Sequence, residues 1–193
     1  GTKIERLELP DSVTQVDLSG LSGSLTYLRW TAGIPVVSGS KFYNFKTLQT
    51  VILPEGVTEL ADGYATYGTF LGCTSLTSVT LPSTLTKIGK NAFYECKALT
   101  EITLPDGVES IGDYAFSHCA ALQTVKLPAK LKTIGSYAFY NSGSLTALEL
   151  PDGLQIIGNY AFSGTKIERL ELPDSVTQVD SSGLSGSLTY LRW

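Results

Sequence analysis

The chain has 193 residues, 42% hydrophobic and 17% charged, which suits one compact domain or a short repeat array and excludes a disordered chain. Its net charge of −4 is spread along the sequence, leaving no basic stripe for nucleic acid and no polybasic patch for an anionic membrane. No apolar run approaches the roughly 20 residues that span a bilayer, so the expectation is no nucleic-acid binding and no membrane insertion.

The first residue is Gly1 and the sequence contains no methionine. It therefore reads as a processed or trimmed chain, with any export signal outside it. Residues 1–30 carry apolar residues at alternate positions, ending on Leu9-Pro10 and later on Leu28 and Trp30. Residues 31–47 fit no period and are expected to form an irregular coil or insertion. A repeat opens at Leu48, Val51, Leu53, Pro54 and Val57, and extra residues within 61–70 precede its Phe70 and Cys73.

From Leu76 the repeat becomes regular. Leu76, Val79, Leu81, Pro82, Leu85, Ile88, Gly89, Ala92, Phe93 and Cys96 recur 23 residues later. There they are Leu99, Ile102, Leu104, Pro105, Val108, Ile111, Gly112, Ala115, Phe116 and Cys119. Two further units start at Leu122 and Leu145, and a last one at Ile167 lacks the Ala-Phe half. A Ser/Gly-rich stretch then leads to Leu188, Leu191 and Trp193.

In each unit the segment L-x-x-[IV]-x-L has the two-residue period of a strand with one buried face. Proline ends that strand, because it has no N–H to give and fixes φ. Gly112 and its equivalents are expected to make a tight or positive-φ turn beside the core. The Ala-Phe-x-x-Cys piece is expected to form one short helical turn, with Leu99, Ile102, Leu104, Ile111, Phe116, Cys73, Cys96 and Cys119 in the core. One unit cannot cover its own apolar side; stacked units cover one another, with strands about 4.8 Å apart. The predicted fold is a repeat solenoid over 1–193: a right-handed leucine-rich-repeat coil with a parallel β-sheet on the concave face and short strands, turns or single helical turns on the convex face.

The pattern L-x-x-[IV]-x-L-P-x-x-[LV]-x-x-I-G-x-x-A-F-x-x-C, carried by residues 76–162 and more loosely by the rest, resembles the BspA-type (Treponema-type) class of leucine-rich repeats. That resemblance implies an extracellular or bacterial cell-surface, adhesin-like protein. It would bind a host or matrix protein or another cell-surface macromolecule, without catalytic residues and without a cofactor.

Residues 1–30 and 164–193 match at 29 of 30 positions, differing only at Leu18 and Ser181. The 23-residue units share only core positions, so packing does not demand this identity. Such ends suit self-association, end to end or by exchange of segments, which makes a structural assembly module the alternative to a binding protein.

The three cysteines are spaced 23 apart, without a Cys-x-x-Cys, and read as buried thiols rather than metal ligands. His118, the single histidine, has no accompanying nucleophile elbow and reads as a surface residue. No catalytic or metal residue is therefore assigned. The binding candidates are outward positions of the concave strands: Arg6, Tyr27, Arg29, Glu101, Thr103, Lys126, Arg169, Tyr190 and Arg192. Tyr and Arg are the types that most often anchor interfaces. Tyr64 and Tyr67 in the insertion form a second candidate.

Overall fold

A computed structural model of the chain describes residues 3–184 and 186–192. Each L-x-x-[IV]-x-L segment supplies a three-residue strand, and the two residues ending on the Ile of each I-G, or on its equivalent, supply a two-residue strand. In chain order these are β1 (Arg6–Glu8), β2 (Tyr27–Arg29), β3 (Val36–Val37), β4 (Thr50–Ile52), β5 (Glu59–Leu60), β6 (Ser78–Thr80), β7 (Lys87–Ile88) and β8 (Glu101–Thr103). They continue as β9 (Ser110–Ile111), β10 (Thr124–Lys126), β11 (Thr133–Ile134), β12 (Ile156–Ile157), β13 (Arg169–Glu171), β14 (Gln178–Val179) and β15 (Tyr190–Arg192). Every pairing is parallel and joins successive coils. The chain is a parallel β-solenoid of about eight turns.

Two faces behave differently. The seven short strands form one unbroken sheet, β14-β12-β11-β9-β7-β5-β3. The long strands form three pieces, β1-β2-β4-β6, β8-β10 and β13-β15. Residues 147–149, a strand by their pattern, form no ladder.

A third column of contacts runs through the Ala-Phe turns. Each Phe amide donates to the next coil's residue before Phe: Phe93 to Ala115 O, Phe116 to Ala138 O and Phe139 to Ala161 O, all at 2.8 Å. This piece is a set of turns and not the expected helical turn. In it two residues of each regular coil take left-handed φ, such as Tyr114 and His118, both at 58°, and that breaks any helical hydrogen-bond run.

The glycine expectation holds in its tight-turn form and not in its positive-φ form: Gly89, Gly112, Gly135 and Gly158 each open a turn, accepting from the amide of Ala92, Ala115, Ala138 and Ala161 at 3.3 Å. Gly89, Gly112, Gly135 and Gly158 are absent from the left-handed set, which contains Gly56, Gly72 and Gly164. What demands glycine there is close approach: a β-carbon on Gly112 would lie 2.6 Å from the Lys90 amide nitrogen, and one on Gly158 2.4 Å from that of Ser136.

The core is a continuous column. Phe42, Phe70, Phe93, Phe116, Phe139 and Phe162 stack at centroid separations of 5.1, 5.3, 5.2, 5.4 and 5.9 Å. Residues 31–47, expected to be irregular, contribute β3 to the short-strand sheet and Phe42 to this column. Phe42 fills the repeat position without the preceding Ala that marks it from Phe93 to Phe162. The extra residues near 61–70 lengthen one coil, so that β5 and β7 residues pair across 28 positions, as Glu59 with Lys87.

The duplicated segments fold alike. Arg6, Leu7 and Glu8 face Tyr27, Leu28 and Arg29, in the same register in which Arg169, Leu170 and Glu171 face Tyr190, Leu191 and Arg192. Trp193 lies outside the described residues.

Candidate functional site

The candidates on the long-strand face fall into three groups. At one end Arg6 pairs with Glu8 and lies 3.6 Å above the Tyr27 ring. Arg29 pairs with Asp11 at 3.2 Å and also donates to Leu9 O. That guanidinium, helped by the Ala32 amide, holds the Asp11 carboxyl below the usual carboxylate range. At the other end Arg169 bonds Glu171 at 2.6 Å and lies 3.8 Å above the Tyr190 ring, and Arg192 approaches Glu171 at 3.9 Å. The arginines and tyrosines at both ends thus satisfy one another. Such exposed pairs contribute little to stability, but a ligand must compete with them.

Glu101, Thr103 and Lys126 stand in the middle group, where the long-strand sheet is open. Leu53 donates to Thr80 O and Leu104 to Lys126 O, each at 3.0 Å, but no bond from Leu81 to Thr103 O spans the gap between β6 and β8. The gap forms a groove of about 710 Å³ lined by Ser78, Thr80, Glu101, Thr103 and Lys126 among others. Hydroxyls, the three carboxylates of Glu55, Glu101 and Asp106 and the ammonium of Lys126 therefore surround strand edges that are not bonded to each other.

Tyr64 is 85% exposed and Tyr67 45%, and Tyr67 packs edge-on against Tyr43 at 5.0 Å. Sequence reasoning missed the larger aromatic surface beside them. Tyr114, Tyr137 and Tyr160 stack in register at 4.7 and 4.9 Å. A second column places His118 between Tyr94 and Tyr140, at 5.3 and 5.6 Å. The signal was present as a Tyr-Ala-Phe triplet repeated at the 23-residue period.

The core candidates Leu99, Ile102, Leu104, Ile111 and Phe116 are buried, as are Cys73, Cys96 and Cys119. Each thiol donates to a Phe carbonyl of an earlier coil: Cys73 to Phe42 O, Cys96 to Phe70 O and Cys119 to Phe93 O, at 3.1 to 3.3 Å. Ser142 takes the next place and donates to Phe116 O at 2.8 Å. This column therefore asks for a small hydrogen-bond donor, beyond the apolar filler that size alone suggests. Burial pushes Cys73 and Cys119 up to about 12, and Cys96 rises well above its ordinary value for the same reason. Reactive thiols are ionised; these are held neutral. Among the described residues no group of three or more His, Cys, Asp or Glu is placed to hold a metal ion, and no helix is long and apolar enough to cross a membrane.

The sequence profile of the BspA type leucine rich repeat region matches residues 1–68 and 64–190, in six copies. Among solved structures, a leucine-rich repeat protein from Eubacterium ventriosum superposes with a TM-score of 0.77 at 24% identity, over 93% of this chain and 47% of its own. One from Bacteroides ovatus gives 0.65 at 28% identity, over 89% of this chain and 52% of its own. The T. pallidum leucine rich repeat protein gives 0.65 at 27%, over 98% and 74%. The chain spans about half the length of the first two. No curated protein matches it by sequence.

Proposed function

This chain belongs to the BspA-type leucine-rich-repeat family, and from that premise we propose that it is a non-catalytic binding module, engaging another macromolecule through the open seam between β6 and β8. The observation that carries this reading is the β6/β8 break, one of two in the long-strand sheet, where polar side chains of both signs line a groove of about 710 Å³. A continuous sheet satisfies its own backbone groups; a broken one leaves them to solvent or a partner. The groups that could do chemistry are committed elsewhere, with the thiols buried and His118 held between two tyrosine rings. On this reading the partner is a host or matrix protein, or another cell-surface macromolecule, and the place of action is outside the cell or on its surface; family membership supports it.

The test is an array of immobilised extracellular-matrix proteins, probed with the folded chain and with Glu101→Lys and Thr103→Arg variants. Binding that weakens about tenfold or more in the variants supports the seam, since central interface positions carry most of the energy. A blank array, or binding indifferent to both variants, overturns it.

One observation favours a second reading, self-association through the duplicated segments. Ile167 is fully covered by the coil before it, whereas its counterpart Ile4 is 43% exposed. The first copy thus presents, within this chain, the face through which the second copy docks on the coil before it, a heterologous match that can propagate or exchange. Light scattering over a range of concentrations, with and without residues 164–193, separates the readings. A concentration-independent monomer in both chains sinks the assembly reading.

A further inference from the structure

The tyrosine column on the turn face stops abruptly, and it stops at a cavity. Tyr160, Tyr137 and Tyr114 stack in that order, and Tyr114 lies within 3° of parallel to Tyr137. One coil further on, the same position is Asn91, whose side-chain amide donates to Ala65 O at 3.3 Å and Tyr67 O at 3.2 Å. The ring face of Tyr114 turned away from Tyr137 therefore meets no other ring. It borders a slot of about 640 Å³, within the range of small-molecule sites, about 300–1,000 Å³. The opposite wall is the insertion, including Ala65 and Thr66, with Tyr43 and Tyr94 beside it. Ala65 holds a left-handed φ of 52°, a conformation costly for a residue with a β-carbon and one that surrounding structure must enforce.

Three departures from the repeat thus coincide here: the extra residues, the loss of the tyrosine at Asn91, and a stack end that is open. We propose that this slot binds an uncharged sugar residue of a glycan, its C–H face laid on the Tyr114 ring. The charges nearby are already paired, Lys90 with Asp113 at 2.9 Å and Glu95 with Lys97 at 3.5 Å. No unpaired cation is offered to a phosphate or a carboxylate polymer. What is offered is one flat apolar surface ringed by the amides of Asn44 and Asn91 and the carboxylates of Glu95 and Asp113. The carboxylates and the Asn91 side-chain oxygen accept from neighbouring hydroxyls, and the Asn44 amide has groups of both kinds; a pyranose has an apolar face with hydroxyls at its rim. Tyr137 behind the ring makes the platform rigid, which lowers the ordering cost of binding. The seam between β6 and β8 lies on another face, so this site is independent of the macromolecular reading.

The experiment titrates the intact chain with neutral hexasaccharides of glucose, mannose, xylose and N-acetylglucosamine, by calorimetry and by saturation-transfer NMR. At least one is expected to bind in the micromolar to millimolar range, with saturation strongest on the C–H protons of one ring face. Tyr114→Ala is expected to weaken binding about tenfold or more. Tyr160→Ala, at the far end of the same stack, should leave it unchanged and serves as the folding control. Absence of binding by all four sugars at millimolar concentration overturns the proposal. So does binding that Tyr114→Ala leaves intact, or a slot that takes a proline-rich peptide and no sugar.

Discussion

The rings of Phe93 and Phe116 lie 5.2 Å apart and 6° from parallel, and both are fully buried. They sit in the middle of a column that ties six coils together. Phe116→Ala would remove a ring from both neighbours at once, and large-to-small changes of this kind cost about 3–5 kcal/mol. Because each coil touches only the next, the loss also divides the stack. Urea unfolding should show a lower midpoint and a shallower slope. A loss below about 1 kcal/mol with an unchanged slope would contradict the column's role.

Gly112→Ala tests the close approach of coils. The added β-carbon meets the Lys90 amide nitrogen at 2.6 Å and the Gly89 carbonyl carbon at 2.7 Å, and backbone atoms cannot swing aside. A cost of roughly 3 kcal/mol is expected. The substitution avoids any φ penalty, so a neutral result in thermal unfolding would mean that the coils lie further apart than described.

Glu95 holds a φ of 59° in a column where other coils place Asn44, Gly72, His118, Asn141 and Gly164. Asparagine tolerates this region better than glutamate. Glu95→Asn should therefore raise stability by about 0.5–1 kcal/mol, even though it removes an exposed ion pair with Lys97, which is worth little. A drop in the denaturation midpoint would show that the side chain matters more than the backbone.

The three thiols make stability fall in alkali. Burial raises the folded-state values of Cys73 and Cys119 from 9.0 to about 12, and that of Cys96 in the same direction. The unfolded thiols release protons near 9 while the folded ones keep theirs, so the unfolded state gains. Stability is fully present below pH 9 and is lost as pH rises toward 12. The loss is about 1.4 kcal/mol per thiol for each pH unit. Denaturant midpoints at pH 8 and 10 check this against a Cys96→Ser, Cys119→Ser chain, which should lose less. Equal slopes in both chains would exclude the thiols as the cause.

Much of this architecture is legible in one line of sequence, because each repeat position answers one physical need. Leucines at alternate positions followed by proline announce the long strands, and the 23-residue period announces their stacking. What escapes is whatever depends on neighbouring coils. Gly112 reads as a turn glycine and does open a turn, but its close approach to Lys90 shows only in the stack. Tyr114 reads as an ordinary surface residue, since only the register of three coils turns it into the end of a stack. Nor does the composition of β6 and β8 reveal the missing ladder between them; Arg6 and Tyr27 attract attention by residue type, yet they are spent on each other.

The most direct measurement is native-state amide hydrogen exchange along the long-strand face, because the binding reading rests on where the stack opens. The Leu53, Leu104 and Leu172 amides donate to Thr80, Lys126 and Arg192 carbonyls, whereas those of Leu81, Leu127 and Leu150 make no such bond to the next coil. The second set is expected to exchange far faster than the first, with the Phe93, Phe116 and Phe139 amides of the turn column protected as strongly as any. Equal protection across all six leucines would mean a closed sheet and would contradict the seam.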